Sequence, residues 1–253
     1  MALVTGAGRG IGRAIAIGYG REGARVAVAS RTAPELETVV REICAAGGEA
    51  LAIPADLVQP EECRRVVARV VEAFGTIDIL VNNAGVGSSP SPRPLLDYDD
   101  AFWDFTLALN LSAPFHLCRA VAPILYEKKW GRIINVASIA GKIGVLHAGA
   151  YTASKHGLLG LTRTLALELA KDGITVNAIC PGPVKTVMSN LRVAHDARRL
   201  GTTVEEIEKK ITPQGRRLDP EEMVPMAVLL ASEKAAGITG QAFNVCGGAL
   251  MAG

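Results

Sequence analysis

Short apolar runs alternate with longer amphipathic stretches from one end of the chain to the other, and no other feature restricts the fold as strongly. Two parallel strands cannot be joined by a tight turn, so each must be followed by a crossover helix that covers one face of a shared sheet. The repeated pattern therefore predicts an α/β, doubly wound architecture. Ala2 to Thr5, Arg25 to Ser30, Ala50 to Ile53, Ile77 to Val81, Arg132 to Val136, Thr175 to Ile179 and Ala242 to Val245 read as its strands, giving a seven-stranded parallel sheet. Helix starts are marked by Thr32-Ala33-Pro34-Glu35 and Asp219-Pro220-Glu221-Glu222, both of capping-box form. At 253 residues, with no internal repeat and β-α units on both sides of every irregular stretch, the chain reads as one domain over 1–253. Two segments interrupt the alternation. One is the proline- and serine-rich run Ser88 to Pro94; the other, about 186–217, has its own helix signal at Thr203-Val204-Glu205-Glu206 and reads as a substrate lid.

Composition narrows the function by exclusion. With 49% hydrophobic residues, 21% charged and a formal net charge of +2, a large core is available, and electrostatics give no support for a nucleic-acid or anionic-membrane partner. Cys44, Cys63, Cys118, Cys180 and Cys246 are odd in number and widely spaced, which argues against a disulfide framework and for a reducing, cytoplasmic compartment. No apolar run approaches a membrane span, and the first strand begins at Ala2, so no signal peptide is expected. None of His116, His147, His156 and His195 pairs with cysteine or carboxylate at ligand spacing, so no metal is expected.

Chemistry enters at the ends of the strands. Thr5-Gly6-Ala7-Gly8-Arg9-Gly10-Ile11-Gly12 joins the first strand to the first helix, where a tight glycine turn can bring backbone amides and a helix N-terminus against a phosphate. The strict G-x-G-x-x-G spacing is absent, and a glycine-rich turn without a nucleotide is the alternative. Tyr151 and Lys155 lie four apart in a helix-like stretch and so share a face. A phenol with a pKa near 10 works poorly as an acid at neutral pH, and a neighbouring ammonium favours the phenolate. In isolation such a pair is usually a solvated face. Here it precedes an apolar run, His156 to Leu169, and Ser138 follows the fifth strand on the cleft side.

Taken together, T-G-x-x-x-G-x-G, Asp56-Leu57 after the third strand, Asn82-Asn83-Ala84-Gly85 after the fourth, Ser138 with Tyr151-x-x-x-Lys155, and Pro181 to Thr186 after the sixth occur in one order. In these motifs the chain resembles the short-chain dehydrogenase/reductase family over essentially its whole length, most nearly the 3-oxoacyl thioester reductases and polyketide ketoreductases. The resemblance implies a single Rossmann-type domain that interconverts a ketone and a secondary alcohol. It implies that Ser138 binds the substrate carbonyl, Tyr151 transfers the proton, Lys155 lowers the Tyr151 pKa and holds the nicotinamide ribose, and Asn110 kinks its helix around a water linked to Lys155. Gly6, Arg9, Gly10, Ile11 and Gly12 would cradle the pyrophosphate, Asp56 and Leu57 the adenine. Asn83, Ala84 and Gly85 would line the cleft, and Pro181, Gly182, Val184 and Thr186 would hold the nicotinamide. For Asp56 a turn-capping role is the alternative.

The second strand ends in Ser30-Arg31, where a carboxylate would select a ribose 2′-hydroxyl and repel a 2′-phosphate. A hydroxyl, a guanidinium and nearby Arg9 favour NADP(H); a merely solvated Arg31 is the alternative. Val145, His147, Val187 and Met188, with Ser138 and Tyr151, would form a mainly apolar substrate site suited to a 3-oxoacyl thioester. A histidine in such a loop is more often packed or solvated. A secondary-alcohol dehydrogenase for cyclic or aryl ketones is the runner-up, and a catalytically silent NADP-binding sensor is the reading from another class. Lys128, Lys129 and Lys171 are candidate docking cations for an acyl carrier protein, which Asp172 puts in doubt. The helix-like stretches Asp100 to Glu127 and Ala150 to Ala170 carry more apolar surface than one sheet face covers, and the family commonly pairs them, so a homotetramer is expected.

Overall fold

In the computed structural model, which describes residues 1–88 and 92–251, the strands are β1 (Ala2–Thr5), β2 (Val26–Ser30), β3 (Ala50–Pro54), β4 (Ile79–Asn82), β5 (Gly131–Val136), β6 (Ile174–Pro181) and β7 (Ala242–Val245). They form one sheet in the order β3-β2-β1-β4-β5-β6-β7, and every pairing is parallel. β1, β5 and β6 are buried along their whole length, which is why they read as unbroken apolar runs. Part of the proline-rich stretch, Ser89 to Ser91, lies outside the described residues.

The helices are α1 (Gly10–Arg21), α2 (Ala33–Ala45), α3 (Pro60–Phe74), α4 (Asp100–Leu107), α5 (Ala113–Lys128), α6 (Gly149–Leu169), α7 (Val187–Leu200), α8 (Val204–Lys210) and α9 (Val224–Ala231). They divide between the faces as a doubly wound fold requires. Leu36 and Val39 of α2, Ile15 and Tyr19 of α1 and Ala227 and Leu230 of α9 bury one face. Val66 and Val70 of α3, Leu117, Val121 and Leu125 of α5 and Leu169 of α6 bury the other. Winding reverses between β1 and β4, and a crevice opens at that point beyond the carboxyl ends of the strands.

Three local expectations change. Asp100 to Glu127 is not one helix, because a π-helical turn, Ala108–Ser112, separates α4 from α5. Thr32 makes no side-chain cap, and the Glu35 carboxylate accepts from Arg9 Nη1 at 3.4 Å. In contrast, Glu222 accepts the Asp219 N–H at 2.7 Å, and Thr203 Oγ1 accepts from Glu206 N–H at 3.2 Å to start α8. The candidate docking lysines also lie at the amino end of the sheet. Lys128 and Lys129 precede β5 and are held by Asp78 and Asp172, while Lys171 precedes β6, all on the amino side, opposite the crevice. Among the described residues no helix is long and apolar enough to cross a membrane.

Candidate active site

The crevice is a cleft of about 670 Å³ running from the end of β2 to the start of α7. Its floor is set by a lock between the glycine turn and the end of β4. Thr5 Oγ1 accepts from the N–H groups of Asn83 (3.0 Å) and Ala84 (3.1 Å), while Asn83 Nδ2 donates to the carbonyls of Thr5 (2.9 Å) and Gly6 (3.1 Å). Gly6 takes φ of +61°, and a Cβ there would lie 2.7 Å from Ala84 Cα; a Cβ on Gly12 would lie 2.3 Å from Asn83 Nδ2. Only glycine lets the two loops meet. The first turn of α1 therefore faces the cleft with its amides uncovered, as a phosphate site requires.

At one end Gly8, Arg9, Gly10, Ile11, Ser30, Arg31, Asp56 and Leu57 line the wall. Ser30 Oγ is shielded from solvent and takes no hydrogen bond among the described residues, an orphaned polar atom that a ligand oxygen would satisfy. Asp56 lines the cleft and also accepts its own turn's Val58 N–H at 3.3 Å. β2 ends without an acid, but Glu35, from the first turn of α2, brings a carboxylate to the same wall. Sequence reasoning missed it because Glu35 read as a capping residue.

At the other end Ser138, Tyr151 and Lys155 converge. Ser138 follows β5 in extended backbone and accepts the Ala140 N–H at 3.1 Å, which fixes its side chain at the cleft. Its hydroxyl neighbours the Tyr151 phenol on the cleft wall and draws the phenol's pKa down. Lys155, 5% exposed, donates from Nζ to the Val136 carbonyl at 2.9 Å and lies 5.8 Å from the centre of the Tyr151 ring. Burial lowers its pKa to about 8. The lowering of the phenol expected from Lys155 is not what the isolated chain displays. Burial pushes Tyr151 up, the Ser138 hydroxyl opposes that, and the ammonium is turned to a carbonyl instead.

Asn110 sits in the π turn, 1% exposed and behind the cleft wall. Its Oδ1 accepts the Val86 N–H at 2.8 Å, and its Nδ2 donates to the Val86 carbonyl at 2.8 Å and to Ser154 Oγ at 3.1 Å. A Cβ on Gly85 would lie 3.0 Å from Asn110 Oδ1 and 3.8 Å from Lys155 Nζ, so the loop after β4 passes between them. Asn110 thus reaches the site through loop and helix rather than by lining it.

Pro181, Gly182, Val184 and Thr186 line the cleft beyond β6, and Thr186 Oγ1 accepts from Ser189 N–H at 3.2 Å to start α7. Val145, Val187 and Met188 line the substrate side. His147 does not. With φ of +60° it turns off the cleft, and its ring packs edge-on to His195 of α7 at 6.2 Å. Arg192 takes a place not foreseen, donating to Asp196 Oδ2 (2.8 Å), the Leu146 carbonyl (3.0 Å) and Ser88 Oγ (3.3 Å), and so ties α7 to loops on both sides of the opening. An arginine on an amphipathic helix carries no sequence signal for this. Among the described residues no group of three histidine, cysteine or acidic side chains could hold a metal ion.

The comparisons with known proteins agree with this geometry. The family model for short chain dehydrogenase matches residues 1–197. A candidate ketoacyl reductase of Streptomyces coelicolor is 43% identical over 98% of this chain and 96% of its own length. D-beta-hydroxybutyrate dehydrogenase of Rhizobium meliloti is 39% identical over 98% and 97%. A solved variant of actinorhodin polyketide ketoreductase with NADPH superposes with a TM-score of 0.92 at 42% identity, covering 98% of this chain and 96% of that one. The wholly parallel sheet, the glycine turn locked to β4 and the Ser138–Tyr151–Lys155 convergence are accordingly those of an oxidoreductase, and the chain belongs to the short-chain dehydrogenase family.

Proposed function

We propose that this chain uses NADP(H) to interconvert a ketone and a secondary alcohol, with a 3-oxoacyl thioester as the substrate. The observation that carries the reading is the convergence of Ser138, Tyr151 and Lys155 on one cleft wall, with the Lys155 ammonium buried 5.8 Å from the centre of the Tyr151 ring. When bound, the nicotinamide supplies the hydride. The Ser138 hydroxyl donates to the carbonyl oxygen and strengthens that bond as the oxygen becomes an alkoxide. Tyr151 gives the proton from Oη to that oxygen, and Lys155 stabilises the phenolate left behind. Asn110 holds the loop at Val86 and the Ser154 turn, and so positions Lys155. Ser30, Arg31 and Arg9 take the 2′-phosphate, for which the orphaned Ser30 hydroxyl is the best-placed donor.

The substrate side supports acyl material, because Val145, Val187 and Met188 are apolar and relatives at this identity are named as ketoacyl reductases. α7 and α8 act as its lid, clasped by Arg192. Exposed Phe115 and Tyr126 on α5 and Leu167 on α6 fit the pairing faces of a homotetramer working in the cytoplasm. The discriminating experiment is a turnover panel of 3-oxoacyl thioester analogues, cyclic ketones and aryl ketones, followed by NADPH absorbance. Highest kcat/KM on the thioesters is expected. A preference for the free ketones would move the assignment to a secondary-alcohol dehydrogenase, and no turnover of any would leave a binding protein.

A further inference from the structure

We propose that Glu35 sets how strongly this chain discriminates between the two nicotinamide cofactors, by holding a carboxylate inside the pocket that receives the 2′-phosphate. The inference rests on the NADP(H) reading above. α2 begins three residues after β2, so its first turn overhangs the cleft and carries Glu35 to the wall shared by Ser30 and Arg9. The notch that admits it is Gly8. A Cβ there would lie 2.8 Å from Glu35 Oε2 and 3.2 Å from Ser30 Oγ, so carboxylate and serine hydroxyl adjoin the same small space. Glu35 Oε1 also receives Arg9 Nη1 at 3.4 Å, with the two side chains 34% and 68% exposed.

Two consequences follow for a dinucleotide. A phosphate entering beside Ser30 meets a like charge, and to engage Arg9 it must take that guanidinium from Glu35. A ribose 2′-hydroxyl instead meets an acceptor. Both effects narrow the preference for NADP(H) that Ser30 and the arginines create. The pair is half open to solvent and long, so screening keeps each effect modest.

The test is isothermal titration of wild type, Glu35→Gln and Glu35→Ala with NADPH and with NADH, at fixed ionic strength. Both substitutions are expected to tighten NADPH by about tenfold and to leave NADH unchanged or weaker. A ratio of the two Kd values that stays constant, or moves toward NADH, overturns the role of Glu35. The wild-type ratio separately decides the cofactor reading: tighter NADH binding by wild type would sink that reading, while the change on substitution still decides Glu35. Two replacements of different shape guard against a new hydrogen bond formed by either one.

Discussion

The two ends of the sheet each bury a cation, and they treat it oppositely. On the amino side Arg132, at the start of β5, has a side chain 2% exposed whose donors are taken up on every side. Nη1 reaches the carbonyls of Gly131 (2.9 Å) and Gly173 (3.3 Å), Nε that of Ser232 (3.3 Å), Nη2 the Glu233 carboxylate (3.4 Å), and the guanidinium lies 4.4 Å over the Trp130 ring. On the carboxyl side Lys155 has three donors and, among the described residues, one hydrogen bond. A cation with four hydrogen bonds fastens β5, β6 and the turn after α9 together. An unsaturated one is held out of water with bonding capacity to spare, which a reaction can use.

The sharpest way to break this contrast is Tyr151→Phe, which removes the proton beside the unsaturated cation. We expect kcat to fall by about a thousandfold while the NADPH Kd measured by titration stays within a few-fold. Retention of more than a few per cent of wild-type kcat would refute the proton-donor role. Arg132→Leu should do the reverse, lowering stability by about 2–4 kcal/mol through orphaned carbonyls and leaving kcat per folded enzyme intact. An unshifted urea midpoint would mean that the guanidinium fastens nothing.

Ser30→Asp sharpens the comparison at the cofactor end, where the buried hydroxyl is likewise unsaturated. The NADPH-to-NADH ratio of kcat/KM is expected to drop by about tenfold or more, and a ratio that does not fall would remove Ser30 from the phosphate site. The smallest effect is in the pH dependence of stability. The unfolded ammonium of Lys155 titrates near 10.4, the folded one at about 8. Between those values the unfolded chain keeps a proton that the folded chain has released, so the penalty for burying the charge, full below about 8, is relieved as pH rises. Wild type should therefore gain about 1 kcal/mol on Lys155→Met between about pH 7.5 and 9. Parallel curves for the two proteins would show that Lys155 is not buried as a cation.

Much of the fold was legible because parallel strands covered on both faces have to be continuous apolar runs, and β1, β5 and β6 are. Their ends, and hence the residues that line the cleft, follow from the same pattern. Interactions between elements distant in sequence left no such trace. Glu35 has the right spacing for a cap to Thr32, yet its carboxylate lies against the space left by Gly8 and accepts from Arg9. Nothing in the spacing of Lys128 and Lys129 signals that they lie at the amino side beside Asp78 and Asp172. His147 is near Tyr151 in sequence, yet with a left-handed backbone its ring packs against His195.

The π turn at Ala108–Ser112 has a consequence for how this chain can change length. One surplus residue in a helix rotates everything downstream by about 100°. Leu117, Val121 and Leu125 of α5 meet the sheet in the phase that follows that surplus residue, while α4 keeps the phase that precedes it. Deleting one residue here would yield a smoother helix with better backbone geometry, and would still swing the apolar stripe off the core and carry Asn110 away from Val86. A residue that looks dispensable by local helix energetics is thus the one whose loss the domain can least absorb, and insertions belong in surface loops instead.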